Sequence, residues 1–343
     1  MQLISCMGNF MEVSFLNSLL SPGNFLLMLA PPGWGKTRIL RSLYKDFDRK
    51  IIFISPLKAL ANEFASSDLE NILYVERRCE KEKLFQFIKK RKALLVLTPE
   101  IMDEQYFLEL KGAGEKYLIV FDEFHLFYFW GWDFRPLLWE STMGLAETGI
   151  AILGLSATFG KEWIEVWQRD FKNSCEDLYL LNLGNQVLKN HPSKIYCSPF
   201  KKAFHRRFLY EMKKNEGIML YFCKYRNEVD RWVEYFELRK IPVLGCKGGE
   251  VGDFIKRLES MPSPRCIFST SALSHGVNLP SIAKIFIGYQ LKDLNFWIQM
   301  VGRGGRKGEP FELFHQDTFK KQGFFKFLLF DLWLRLLKLC ELK

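Results

Sequence analysis

Residues 25–40 read Phe25-Leu26-Leu27-Met28-Leu29-Ala30-Pro31-Pro32-Gly33-Trp34-Gly35-Lys36-Thr37-Arg38-Ile39-Leu40. An apolar run, a Pro/Gly turn and then apolar residues at helical spacing spell strand, loop and helix. The loop follows the pattern G-x-x-x-x-G-K-[ST], with Ala30 at the first glycine position. Gly33 and Gly35 let the backbone wrap phosphate oxygens without a Cβ in the way, and a helix starting at Lys36 turns free N–H groups and the positive end of its dipole toward them. Lys36 is placed for the β- and γ-phosphates and the Thr37 hydroxyl for Mg²⁺. Pro32, Gly33, Trp34, Gly35, Lys36, Thr37 and Arg38 are therefore the candidate nucleotide-binding residues, for ATP or GTP. A plain turn ahead of a helix is the alternative, and the upstream strand argues against it.

Outward from this unit the pattern recurs. Short apolar runs lie at 25–30, 51–55, 93–98, 117–121 and 150–155, then at 217–222, 242–245, 266–269, 283–288 and 310–314, with helix-length segments between them. That alternation predicts an α/β protein whose mostly parallel sheets carry helices on both faces. At about 150 residues per domain, 343 residues make roughly two domains. The polar stretch 182–193, with Gly184, Asn190 and Pro192, is the expected linker, dividing the chain into domains at 1–185 and 186–322. Residues 323–343 read as an amphipathic helix, which can pack back on the protein, dock on a partner protein or lie on a membrane surface.

A hydrophobic share of 48% with 26% charged residues excludes a largely disordered, collagen-like or coiled-coil chain. The net charge of +10 favours a polyanionic partner, either nucleic acid or an anionic membrane surface. The eight cysteines are scattered, without C-x-x-C pairs or histidines at metal-ligand spacing, and no secretory signal opens the chain. They read as reduced core thiols of a cytoplasmic protein. No run of 18 or more residues is free of charge, so no membrane span is expected.

The run Tyr117 to Phe121 reads as a buried strand and ends in Asp122-Glu123-Phe124-His125. Carboxylates at the C-terminal end of such a strand stand where α/β sheets bind ligands. Asp122 is the candidate Mg²⁺ ligand, and Glu123 the residue that orients and deprotonates an attacking water. A solvated acidic turn is the alternative, weakened by the phosphate loop upstream.

In these motifs and those that follow them the chain resembles the superfamily-two helicases from about Phe25 to about Phe314. Pro56 to Glu63 is similar to motif Ia, Thr98-Pro99-Glu100 to motif Ib, Ser156-Ala157-Thr158 to motif III and Leu220 to Lys224 to motif IV. Thr270 to Pro280 is similar to motif V, and Gln299 to Arg306 fits Q-x-x-G-R-x-G-R of motif VI. The wording of motifs Ia, Ib, II and V is most similar to the superkiller-like branch of DExH helicases, reduced here to the two-domain core. Ala272 and His275 depart from that branch, and no glutamine motif is found in residues 1–24, which leaves adenine selectivity open.

The resemblance implies two tandem RecA-like domains, ATP and Mg²⁺ as cofactors, and a site shared between the domains. In that scheme Lys36, Asp122, Glu123, Gln299, Arg303 and Arg306 serve hydrolysis. His125, Ser156, Thr158, Gly276 and Asn278 couple nucleotide state to closure, although strand-end hydrogen bonding also accounts for Ser156 and Thr158. Pro56, Lys58, Thr98, Lys224, Arg226, Thr270 and His275 are implied to face single-stranded or duplex DNA or RNA, through phosphate contacts that do not read sequence. The aromatic run Phe127 to Phe134 is expected mostly in the core, with base stacking as the other use of any exposed ring. The expected activity is an ATP-driven helicase or translocase. A nucleic-acid clamp or a remodelling ATPase without strand separation are the alternatives.

Overall fold

The computed structural model describes residues 2–5, 12–65, 69–77, 80–102, 107, 110–111, 116–131, 135–214, 216–274, 277–291 and 293–316. The chain divides between Val187 and Leu188 into two compact units.

The first unit is built on eight parallel strands, β1 (Gln2–Ser5), β2 (Phe25–Leu29), β3 (Lys50–Ile54), β4 (Ile72–Val75), β5 (Leu94–Leu97), β6 (Tyr117–Phe121), β7 (Ala151–Ser156) and β8 (Leu178–Asn182). Their order across the sheet is β1-β8-β2-β7-β6-β3-β5-β4. The inner strands are buried along their whole length because both faces are covered, and so they read as unbroken apolar runs. Alternate side chains feed two cores. Leu26, Met28, Ile51 and Phe53 meet Leu16, Leu40 and Phe64 from α1 (Val13–Leu19), α2 (Lys36–Asp46) and α3 (Lys58–Ala65). Phe25, Leu27, Ile52 and Ile54 face the opposite side, with Phe87 of α4 (Lys81–Lys89), Phe127 of α5 (His125–Gly131), Leu138 of α6 (Pro136–Ala146) and Trp167 of α7 (Lys161–Phe171).

The second unit carries six parallel strands, β9 (Lys194–Ser198), β10 (Ile218–Phe222), β11 (Val243–Cys246), β12 (Cys266–Ser269), β13 (Ile282–Ile287) and β14 (Glu312–Gln316), in the order β11-β12-β10-β13-β14-β9. Helices α8 (Lys201–Lys214) and α9 (Arg226–Glu237) pack Phe204, Phe208 and Phe236 on one face. Helices α10 (Val251–Ser260) and α11 (Leu294–Val301) pack Phe254, Ile298 and Met300 on the other. Under α8 the buried Lys284 of β13 bonds Glu211 Oε2 at 2.5 Å and Glu216 Oε2 at 2.7 Å. Both units are thus doubly wound α/β domains, as expected for tandem RecA-like lobes.

All ten expected strands are present, the last displaced to Glu312–Gln316. Four more were not expected: β1, β4, β8 and β9. Three of them are edge strands, and β8 lies one place inside an edge. Strands at a margin are exposed on one side, so they lack the continuous apolar run that marks an inner parallel strand. The expected helix at 323–343 lies outside the described residues.

Candidate functional site

In the first unit β7 lies between β2 and β6, with Leu29 in register with Ser156 and Phe121 with Gly154. The phosphate loop leaves β2, the Asp-Glu pair leaves β6 and motif III leaves β7, so three loops emerge side by side at the C-terminal ends of the central strands. Gly35 adopts φ +114 as the residue before α2, a conformation that a side chain would strain. No side chain caps α2, and its first turn holds no acid. The positive end of its dipole is therefore not offset by a capping side chain or a first-turn acid. Lys36 Nζ donates to the carbonyls of Ala30 at 2.9 Å and Pro31 at 3.4 Å, curling over the loop it belongs to. Pro32, Trp34 and Gly35 are half-buried, while Gly33, Thr37 and Arg38 are exposed. This loop fits the triphosphate of a nucleotide.

Asp122 is half-buried, its N–H donating to Ile54 O at 3.0 Å. Glu123 takes φ +47, a left-handed conformation rare outside glycine that collects at functional sites. Its carboxylate lies 3.6 Å from Nδ1 of His125, which is only 2% exposed. The same Nδ1 is 3.0 Å from Ser156 Oγ. Ser156 Oγ in turn donates to Thr158 O at 3.0 Å and accepts from Thr158 N–H at 3.3 Å. Motifs II and III are therefore linked through His125, and the strand-end bonding expected of Ser156 and Thr158 is present as well. Ala30 N–H donates to Ser156 O at 3.0 Å, which brings the phosphate loop to the same junction.

Pro56 is buried, Lys58 exposed and Thr98 buried ahead of the turn at 99–101. A residue that sequence reasoning did not single out connects them. Arg135 donates through Nη1 to Pro56 O at 2.6 Å and through Nε to Glu100 Oε1 at 2.7 Å, with Nη2 on the same carboxylate. Its guanidinium also lies 5.5 Å from the Trp130 ring. One side chain thus holds motif Ia, motif Ib and the helix that follows the DExH box.

In the second unit Arg303 is 2% exposed and donates to Val277 O at 2.7 Å, tying motif VI to motif V. Arg306 is half-buried, Gln299 is buried and Asn278 is exposed. Thr270 caps a short turn by accepting from Ala272 N–H at 3.4 Å. Lys224 and Arg226 are exposed, with Arg226 bonded to Gly248 O and Glu250. His275 and Gly276 lie outside the described residues. Nearby, burial alone would raise the Glu228 carboxyl, but Lys201 and the N–H groups of Tyr225 and Lys224 outweigh it and hold the group below its usual value.

Residues 13–166 match the DEAD/DEAH box helicase domain, and residues 201–308 match the helicase conserved C-terminal domain. The chain belongs to the DEAD/DEAH-box helicases of superfamily two. It is 22% identical over 296 residues to the ATP-dependent DNA helicase RecQ of Bacillus subtilis, a match covering 82% of this chain and 49% of RecQ. It is 24% identical over 318 residues to the probable ATP-dependent DNA helicase RecS of the same organism, covering 87% of this chain and 62% of RecS. The chain thus spans about half the length of RecQ and somewhat more of RecS. Dbp5 of S. cerevisiae, bound to RNA and ADP BeF3, aligns with a TM-score of 0.63 at 15% identity over 89% of this chain and 82% of that one. That likeness is one of fold.

Both domains of the helicase core are therefore present. The described start of the aromatic run after the DExH box packs inward. Phe127 and Tyr128 are buried, and Phe129 and Trp130 are half-buried. Phe124 stacks or meets edge-on with Phe127, Tyr128 and Phe159. Residues 132–134 lie outside the described residues. Among the described residues, no helix is long and apolar enough to cross a membrane, and no group of three or more His, Cys, Asp and Glu side chains could hold a metal ion.

Proposed function

We propose that the chain is a nucleic-acid-stimulated ATPase that moves on single-stranded DNA or RNA and separates strands. The observation that carries this reading is Glu123, held at φ +47 beside His125 at the C-terminal end of the central strands, where the phosphate loop leaves β2. A strained acidic residue next to a phosphate cradle suits a base that orients and deprotonates water. Lys36 and the N–H groups of α2 bind the triphosphate, and Arg303 and Arg306 supply positive charge for the γ-phosphate. Mg²⁺, held by Thr37 and Asp122, would neutralise charge on the β- and γ-phosphates. The contact from His125 to Ser156 supports a route by which the state at Glu123 reaches motif III.

Pro56, Lys58, Thr98, Lys224, Arg226, Thr270 and His275 form the proposed strand-binding set, sequence-independent and salt-sensitive. The motif wording keeps the superkiller-like branch as the proposed place within the superfamily. DNA is the first substrate to test because the curated relatives are named DNA helicases. A cytoplasmic location and a protein partner for residues 323–343 complete the reading.

The test measures ATP hydrolysis with single-stranded DNA, single-stranded RNA and no polymer at fixed salt. Wild type is expected to be stimulated by at least one polymer. Glu123→Gln is expected to keep ATP binding and lose about 10²- to 10⁴-fold in turnover. Unchanged turnover in that variant sinks the assignment. Stimulation without separation of a labelled duplex identifies remodelling instead of unwinding.

A further inference from the structure

The second unit holds a nucleophile and a base that none of the helicase motifs uses. His315 of β14 is in register with Cys197 of β9, and Cys197 Sγ lies 2.9 Å from His315 Nε2. The cysteine is 5% exposed and the histidine 9%. We propose that Cys197 and His315 form a reactive thiol–imidazole pair, a site of covalent modification by small electrophilic oxidants, hydrogen peroxide foremost.

The other described cysteines mark the contrast. Burial pushes the thiols of Cys175 and Cys246 up to about 12, and those of Cys223 and Cys266 up as well, which leaves them protonated and inert. Among the described residues Cys197 is the cysteine with a ring nitrogen at bonding distance, the arrangement that activates a thiol. Access is local. β9 is an edge strand, and Ile195, two residues from Cys197 and on the same side of it, is 50% exposed.

The chemistry closes without a further reagent. The thiol proton passes to Nε2, the sulfur electron pair attacks one peroxide oxygen, and the O–O bond breaks. The departing hydroxide takes the proton back from the imidazolium and leaves as water. Cys197 is oxidised to a sulfenic acid as the peroxide is reduced. The added oxygen enters a tightly packed strand pair and loosens β9 from β14.

The experiment treats the folded full chain with limiting hydrogen peroxide and a sulfenic-acid-trapping dione, and in parallel with iodoacetamide, at one pH. Peptide mass spectrometry follows each cysteine. Cys197 is expected to react at least about tenfold faster than Cys175, Cys223, Cys246 and Cys266. His315→Asn is expected to bring it down to their level while circular dichroism stays that of wild type, with His315→Gln as the second variant should the first not fold. Labelling of Cys197 no faster than the other four overturns the proposal. So does a folded His315 variant that labels as fast as wild type.

Discussion

Arg135 forms hydrogen bonds to residues 79 and 35 positions earlier in the chain, Pro56 and Glu100. A planar fork that satisfies a carbonyl and a carboxylate at once is a geometry that only arginine offers. Arg135→Ala is therefore expected to weaken binding of a labelled single strand by roughly tenfold, about 1.4 kcal/mol, with Arg135→Lys nearly as weak. Fluorescence anisotropy checks this, and wild-type affinity in the lysine variant would remove the staple from consideration. The same residue shows where reading the sequence stops. Lys36, Thr37, Asp122 and Glu123 are legible because each motif is contiguous and its residue types follow from phosphate chemistry. Arg135, and equally the pairing of Cys197 with His315 across 118 positions, depends on partners that only the folded sheet brings near. The φ of Glu123 is invisible for a similar reason, since nothing local in the sequence demands a left-handed acid.

In the turn between α11 and β14, Gly304 answers to packing, whereas Gly308 takes φ +91 with open space around it. A Cβ on Gly304 would run into the Phe311 ring, so motif VI is pressed against the residue that leads into β14. Gly304→Ala is expected to destabilise the second unit by about 1–3 kcal/mol in urea unfolding. Adding Phe311→Leu should recover part of that loss, and an unaffected unfolding midpoint in Gly304→Ala would contradict the contact. At this scale the inner elements were legible from apolar runs of the right length. The marginal strands were not. β9 reads Lys-Ile-Tyr-Cys-Ser, and its first two residues are exposed, so burial never imposes the unbroken apolar pattern there.

Across the whole molecule, two all-parallel sheets account for nearly every described strand residue, and the number and class of domains followed from strand–helix alternation and length. Stability of the second unit carries a pH signature. Burial would lower the Lys284 amine, but hydrogen bonds to Glu211 and Glu216 outweigh it and hold the group above its usual 10.5. A folded-state value above the unfolded one gives stability that is complete below about 10.5 and drains away as pH rises through the folded value. Urea midpoints of wild type should therefore fall on the alkaline side of 10.5, and Lys284→Met should lack that component. A parallel decline in both proteins would count against the buried pair. The strand order of the first unit has one more effect, on its birth. β8 is flanked by β1 and β2, both of which precede it by well over a hundred residues in the chain. Until Asn182 has emerged, β1 has no partner strand in this sheet and β2 lacks its neighbour on the side away from β7. The margin of the first sheet, and with it the attachment of the N-terminal strand, therefore waits on the last strand of that unit to be made.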